Sequence, residues 1–485
     1  EGAPHAGAAR GPLDAVLAVA AAQVALGGRI AKQGSSRDEP AERQLQPLAR
    51  RVVRFLVAAE DHQAVLVALG PRGLVLLLDL LPLDAGAPAA GGLRLGLLLL
   101  CAAQSLGGGL PYSDQLGLPH PALVLRAAVE LTLRLLAPLT PALAGAQAAD
   151  FHGDFQSFRT VAAVLRYLSG IPEPADVGSL QRSGSVHYRA VCSSMQLLST
   201  LVLHHHVLAH EFVQHGGLQM IVDKRFLSVE FACSDDDLAK EPRAAHVAVD
   251  ALLVVSQLAR LSKEYYPMLH RMSVCEDLRR LLDRGAPGVR AKACNAIGNM
   301  ARHSSAFYDA ILEAGILPLL IPLCGDADPA CRKFASFAVG NCAFHSDALY
   351  RGLAPAIPQL LRLLGDDDEK TRANAAGAIG NLVRNSSELC GDMIQGGALQ
   401  GLHGLVGARR PAAEAGAAEL ARFAADSSVK IALFSLGNLA VHRECREELN
   451  GSIRAAELCH RLMGICQGDD TIHKYAQRLL QKLSD

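Results

Sequence analysis

Ala338-Val339-Gly340-Asn341-Cys342 ends an apolar, helix-like stretch with a glycine and an asparagine, residues that a helix interior ordinarily disfavours. The phrase recurs as Ala296-Ile297-Gly298-Asn299-Met300 upstream. Downstream it returns as Ala378-Ile379-Gly380-Asn381-Leu382 and Ser435-Leu436-Gly437-Asn438-Leu439. The glycines stand 42, 40 and 57 residues apart. Helical units at a period of about 40 residues describe a stacked solenoid, each unit burying its apolar faces against its neighbours. Such arrays mostly bind; they rarely catalyse.

A shift of 42 exposes a degraded copy upstream, where Val249–Arg260 overlays Ala291–Arg302 and Ser256-Gln257 replaces Gly-Asn. The same shift lays Tyr265-Tyr266 on Phe307-Tyr308. Within a unit, a short helix such as 307–313 stops at Ala314-Gly315, where glycine accepts a positive φ. Ile316-Leu317-Pro318 opens a second helix. Asp326-Ala327-Asp328-Pro329 breaks it, with aspartates placed to cap a long third helix from Ala330 to about Phe344. Three helices per unit is the armadillo plan, so the expected fold is all-α: an armadillo-like solenoid, a right-handed superhelix of three-helix units.

The interval of 57 is a unit of 40 with a surplus of 17, which falls near 407–423, an Ala/Gly-rich insertion. It is either an extended loop or an extra helix. Before residue 240 the units blur, although 51–81, 123–136 and 161–168 keep helical spacing. The division is therefore 1–240, degenerate N-terminal repeats, and 241–485, armadillo repeats with the insertion.

Composition fits. Half of the 485 residues are apolar and 4% aromatic, without tryptophan, a diet of Leu, Ala and Val that favours helices over strands. With 47 basic against 48 acidic side chains, no overall basic excess points to nucleic acid, although a balanced total permits a local patch. Twelve cysteines without a C-x-x-C pair read as small buried thiols. The longest uncharged run, 95–113, contains Gly107-Gly108-Gly109 and Pro111, so no membrane span is expected. The first residues carry no initiator Met and no signal pattern, as in a piece of something longer.

In the armadillo plan the third helices line a concave groove. Asn299, Asn341, Asn381 and Asn438 are the candidate groove residues, whose amides can hold a partner's extended backbone. Equally, each can bond between repeats and hold the stack together. Gly298, Gly340, Gly380 and Gly437 let neighbouring helices approach.

Other chemistry is thin. His204-His205-His206, His210, Glu211 and His215 suggest a metal, but His210-Glu211-x-x-x-His215 is one residue too long for a zincin helix. Asp235–Asp237 and Asp366–Asp368 lack the spacing of a calcium loop and suit capping instead. Asp154-Phe155-Gln156 and His270-Arg271-Met272 only echo kinase signatures. No catalytic residue, metal or cofactor is assigned, and the chain itself is not expected to be an enzyme.

The stretch Cys331–Asn341, with IPQLLRLLGDDDEKTRANAAGAIGNL at 357–382 and VKIALFSLGNLA at 429–440, resembles the C-terminal armadillo-like region of the Fused family of serine/threonine kinases. The likeness covers about 290–440. It implies a scaffold tail whose kinase domain lies outside this chain. It also implies two settings. One is assembly of the central-pair apparatus of the ciliary or flagellar axoneme, with axonemal or kinesin-like partners, tubulin among the options, and a cytoplasmic, cytoskeletal location. The other is a regulatory tail in Hedgehog-type signalling. An armadillo central-apparatus protein outside the Fused family is the rival. Nuclear-import adaptors pair each ladder Asn with a Trp four residues earlier, where this chain has Asn295, Phe337, Gly377 and Phe434.

Overall fold

The computed structural model describes residues 160–170, 186–204, 206–229, 244–409, 416–466 and 470–484. The expected elements at 51–81, 95–113 and 123–136 and the Asp235–Asp237 run lie outside these residues, as does the 240/241 boundary. The chain divides into two compact units, Glu1–Lys224 and Arg225–Asp485. In both, the described residues are helices and turns, without strands.

In the first unit, helices Thr160–Gly170, Val186–His204, His206–Gln214 and Gly217–Asp223 pack together. Val164, Leu168, Met195, Leu198 and Phe212 are buried among them. The helical spacing read at 161–168 corresponds to the first of these.

The second unit carries the repeats. Its long helices are α1 (Ala244–Leu261), α2 (Pro287–Met300), α3 (Pro329–Cys342), α4 (Glu369–Asn381), α5 (Ser427–Leu439) and α6 (Asp470–Ser484). Each packs against the next, α1 on α2 through to α5 on α6. Short helices fill the intervals, such as Tyr308–Glu313 and Leu317–Leu320 between α2 and α3. Gly315, at φ 64°, makes the turn between those two.

Local chemistry explains the lengths. The helix opened by Leu317 stops after one turn, and Pro322–Gly325 continues as a 3-10 turn. A proline there removes an amide donor and crowds the preceding turn. Asp328 then accepts from the Cys331 amide, Asp368 from Thr371, and Asp426 from Ser428 and Val429. Each is the cap that starts a long helix. The insertion is largely helical where it is described: Ala398–Arg409 runs into it, and Ala417–Ala425 is added before α5.

Ala293, Ile297, Ala338, Val339, Ala375, Ile379, Leu433 and Leu436 are fully buried between the long helices. Small Ala side chains and glycines at these contacts permit close approach, and close packing supplies dispersion energy. All ten described cysteines are buried and none forms a disulfide. Burial pushes Cys324, Cys331, Cys342 and Cys459 up to about 12, which fits inert core thiols.

Candidate partner-binding groove

The ladder asparagines stand at the C-terminal ends of α2 to α5. Asn341 Nδ2 donates to the Gly298 carbonyl at 2.7 Å, Asn381 to Gly340 at 2.9 Å, and Asn438 to Gly380 at 3.4 Å. Asn299, facing the degraded unit, donates to Ser256 Oγ at 2.8 Å. The series continues in α6, where Lys482 Nζ donates to the Gly437 carbonyl at 2.8 Å. Every ladder side chain thus spends one donor on the preceding repeat. Asn299 and Asn438 are buried, while Asn341 and Asn381 are half-buried.

The glycines differ among themselves. A Cβ on Gly298 would sit 2.5 Å from the Phe337 ring and 3.1 Å from Ala338 Cα. On Gly380 it would meet Ser435, with Cβ at 2.6 Å and Cα at 2.9 Å. Gly340 would make ordinary contact with Ala378 at 3.5 Å, and a Cβ on Gly437 meets nothing within 4 Å. Close helix approach therefore depends on glycine at two of the four positions.

Two further series flank the ladder. Tyr266, Tyr308 and Tyr350 donate to the carbonyls of Asn299, Asn341 and Asn381. The same hydroxyls accept from the amides of His303, His345 and Asn385. Four residues after each ladder asparagine stand His303, His345, Asn385 and His442. Their side chains reach the carbonyls of Arg260, Arg302, Phe344 and Val383 in the preceding unit.

At the opposite ends of the helices, Arg290 pairs with Asp326 at 2.9 Å and Arg332 with Asp366 at 2.8 Å. Arg372 donates to the carbonyls of Asp366 and Asp367. The Asp366–Asp368 run is thereby absorbed into ion pairing and capping. Sequence reading missed these series, although the signal was there. The arginines lie nine residues before a ladder asparagine, and the His/Asn positions four after.

The surface beside the ladder is formed by exposed or half-buried positions of α2 to α4 and the first residue of α5. Asn295, Lys333, Phe334, Phe337, Lys370, Ala373, Asn374 and Ser427 line a recess of about 400 Å³. Lys292 lies over the Phe334 ring at 5.7 Å. Asn295 Oδ1 accepts from Asn299 Nδ2 at 3.3 Å, so its own NH₂ is directed elsewhere. Asn374 Nδ2 donates to the Lys333 carbonyl at 3.0 Å, which leaves its Oδ1 as an acceptor.

In the first unit, His206 and His210 share an exposed face of one helix, with His210 bonded to Gln214, and His215 follows that helix. Among the described residues no group of three His, Cys, Asp or Glu side chains is arranged to hold a metal ion. Nor is any described helix long and apolar enough to cross a membrane.

A HEAT-like repeat family matches residues 329–382, from the start of α3 to the end of α4. An engineered protein of solved structure aligns over 97% of this chain and 99% of its own, with a TM-score of 0.57 and 17% identity. The fold is an armadillo/HEAT-type solenoid. A designed armadillo repeat protein in complex with the peptide (KR)4 aligns over 53% of this chain and 98% of its own (TM-score 0.44, 24% identity). A second designed armadillo protein gives 0.43 and 25% over the same shares. No curated protein matches the sequence. A repeat solenoid of this kind is the architecture of scaffolds rather than of catalytic centres.

Proposed function

We propose that this chain is a non-catalytic armadillo scaffold that captures protein partners along the face formed by α2 to α5. The observation that carries this reading is the recess beside the ladder. It has aromatic walls, amide edges and charged rims, the ingredients of a site for an extended segment. Asn299, Asn341, Asn381 and Asn438 set the spacing of that face, and on this reading the half-buried Asn341 and Asn381 hold the stack and also meet the bound chain.

The finer assignment rests on the resemblance of 331–341, 357–382 and 429–440 to the Fused family. On that reading the chain is the C-terminal part of a Fused-type kinase acting in assembly of the axonemal central pair. Its location is the cytoskeleton of a cilium or flagellum, and its partners are axonemal, kinesin-like or tubulin proteins.

The test is affinity capture from a ciliated-cell extract, comparing the wild-type chain with an Asn341→Ala/Asn381→Ala double variant verified to be folded by circular dichroism. Axonemal or kinesin-like proteins recovered by the first bait and lost from the second are the expected result. Equal recovery would remove Asn341 and Asn381 from the binding surface. Recovery of signalling proteins alone would favour the Hedgehog-type regulatory tail.

A further inference from the structure

The chain as a whole is balanced, but its long helices from α2 onward are not. Helices α2 to α6 contain ten Lys and Arg residues: Arg290, Lys292, Arg332, Lys333, Lys370, Arg372, Lys430, Lys474, Arg478 and Lys482. Against them stand only Glu369 and Asp470. Arg290, Arg332 and Arg372 turn to the interrepeat aspartates and carbonyls described above. Three of the lysines point to the other face: Lys333 and Lys370 line the recess and Lys292 covers its Phe334 wall. Farther along, Arg478 of α6 lies over the Phe434 ring of α5 at 5.1 Å.

The nearby carboxylates are occupied. Glu369 Oε1 accepts from the Ser427 amide at 2.8 Å and from its hydroxyl at 2.6 Å, across the α4–α5 junction. Asp368 caps α4 while reaching Lys333 at 3.2 Å. Lys370 is exposed and has no ion-pair partner among the described residues.

Building on the proposed scaffold role, we infer that the recess takes an extended, acidic peptide with alternating carboxylate and apolar side chains. Successive side chains of an extended chain point to opposite sides. The apolar set then enters between Phe334 and Phe337, while the carboxylates meet Lys292, Lys333 and Lys370. The free NH₂ of Asn295 and the Oδ1 of Asn374 supply one donor and one acceptor, the pair that an extended backbone requires. Adjacent long helices lie about 8–10 Å apart, and extended residues advance about 3.3 Å each. Three helices therefore span roughly six residues.

Fluorescence anisotropy tests this with labelled peptides of about eight residues alternating Glu-Leu, Lys-Leu or Ser-Leu, and with an oligothymidylate of matched charge. The Glu-Leu peptide is expected to bind tightest and to weaken as salt rises. Lys333→Glu/Lys370→Glu should lower its affinity about tenfold or more and transfer preference to Lys-Leu. Lys333→Ala/Lys370→Ala, a milder change, serves as a second variant if the charge reversal disturbs folding. Preference of the wild type for Lys-Leu or for the oligonucleotide would overturn the inference. So would undiminished Glu-Leu binding by the lysine variants, or no Glu-Leu binding by the folded wild type. Equal binding of all three peptides, lost in Phe334→Ala/Phe337→Ala, would reject acidic selectivity yet keep the groove. Glu-Leu binding indifferent to both the lysine and the phenylalanine variants would reject the groove itself.

Discussion

Tyr308 donates its hydroxyl proton to the carbonyl of Asn341 at 2.9 Å, while the Asn341 side chain donates to Gly298 in the unit before. One residue is thus held by its own unit through the main chain and by the preceding unit through its amide. The motif that first marks the repeat is also the point where two repeats are joined.

Removing that amide should cost stability without melting helices. Asn341→Ala and Asn381→Ala each leave a glycine carbonyl without its interrepeat donor, for about 1 kcal/mol apiece. Urea denaturation should show lower midpoints with unchanged ellipticity in buffer. Wild-type midpoints in both variants would mean that the bonds contribute nothing net.

The glycines give a sharper contrast. Gly380→Ala places a methyl against Ser435 at 2.6 Å from its Cβ, and overpacking of this kind costs about 1–3 kcal/mol. Gly437→Ala meets open space, so higher helix propensity should leave it neutral or stabilised by up to about 1 kcal/mol. Thermal unfolding should place Gly380→Ala below the wild type and Gly437→Ala at or above it, and equal losses would refute the packing distinction.

Tyr308→Phe deletes two hydrogen bonds at once, to the Asn341 carbonyl and from the His345 amide. A loss of about 1–3 kcal/mol is expected. Burial raises the Tyr308 hydroxyl above its ordinary value of 10, as it does those of Tyr266 and Tyr350. Groups raised in the folded state stabilise it fully below their unfolded pKa, so stability should fall as pH rises past 10. Stability measured from neutral to alkaline pH should decline less in the Phe variant.

Asp368 and Asp426 govern the acid side. Burial works to raise both carboxyls. Hydrogen bonds outweigh it and hold them below 3.8: Thr371 and Lys333 act on Asp368, Ser428 and Val429 on Asp426. A carboxyl lowered in the folded state stabilises it above its unfolded pKa, and this contribution disappears as pH falls through the folded value. Asp426→Ala should cost about 1 kcal/mol at neutral pH through the lost cap. Its deficit should shrink below pH 3.8, and a deficit constant down to strong acid would contradict the capping role.

The buried thiols offer a rapid check of core integrity. With Cys324, Cys331 and Cys342 pushed up to about 12 and enclosed, native protein should resist alkylation at mildly alkaline pH and react on unfolding. Prompt reaction of these three in buffer would show that the stack opens locally.

How the sequence encodes these features is uneven. Period and Gly-Asn spacing located α2 to α5, because burial of one helical face forces apolar residues into register. The aspartate breaks were readable because a cap needs its oxygen within reach of the next helix's first amides. The direction of the ladder amides was not readable, since from Asn341 onward each acceptor is a main-chain carbonyl 41 to 58 residues earlier that any residue could provide. The His303, His345, Asn385 and His442 series escaped notice because different side chains perform the same task. The recess was hidden too, as Asn295, Phe334 and Lys370 come from different positions of three different helices and meet only when the units are stacked.

The acceptor at each junction from Asn341 onward is a backbone oxygen, and this bears on how such an array can grow. A tandem duplication of one unit copies a donor and an acceptor together. The newborn copy therefore fits both neighbours at once, with no second substitution needed to reconcile them. Lys482, doing in α6 what asparagine does elsewhere, indicates that the seam asks only for a donor of sufficient reach. Lineages can then lengthen the array first and diversify its exposed face afterwards.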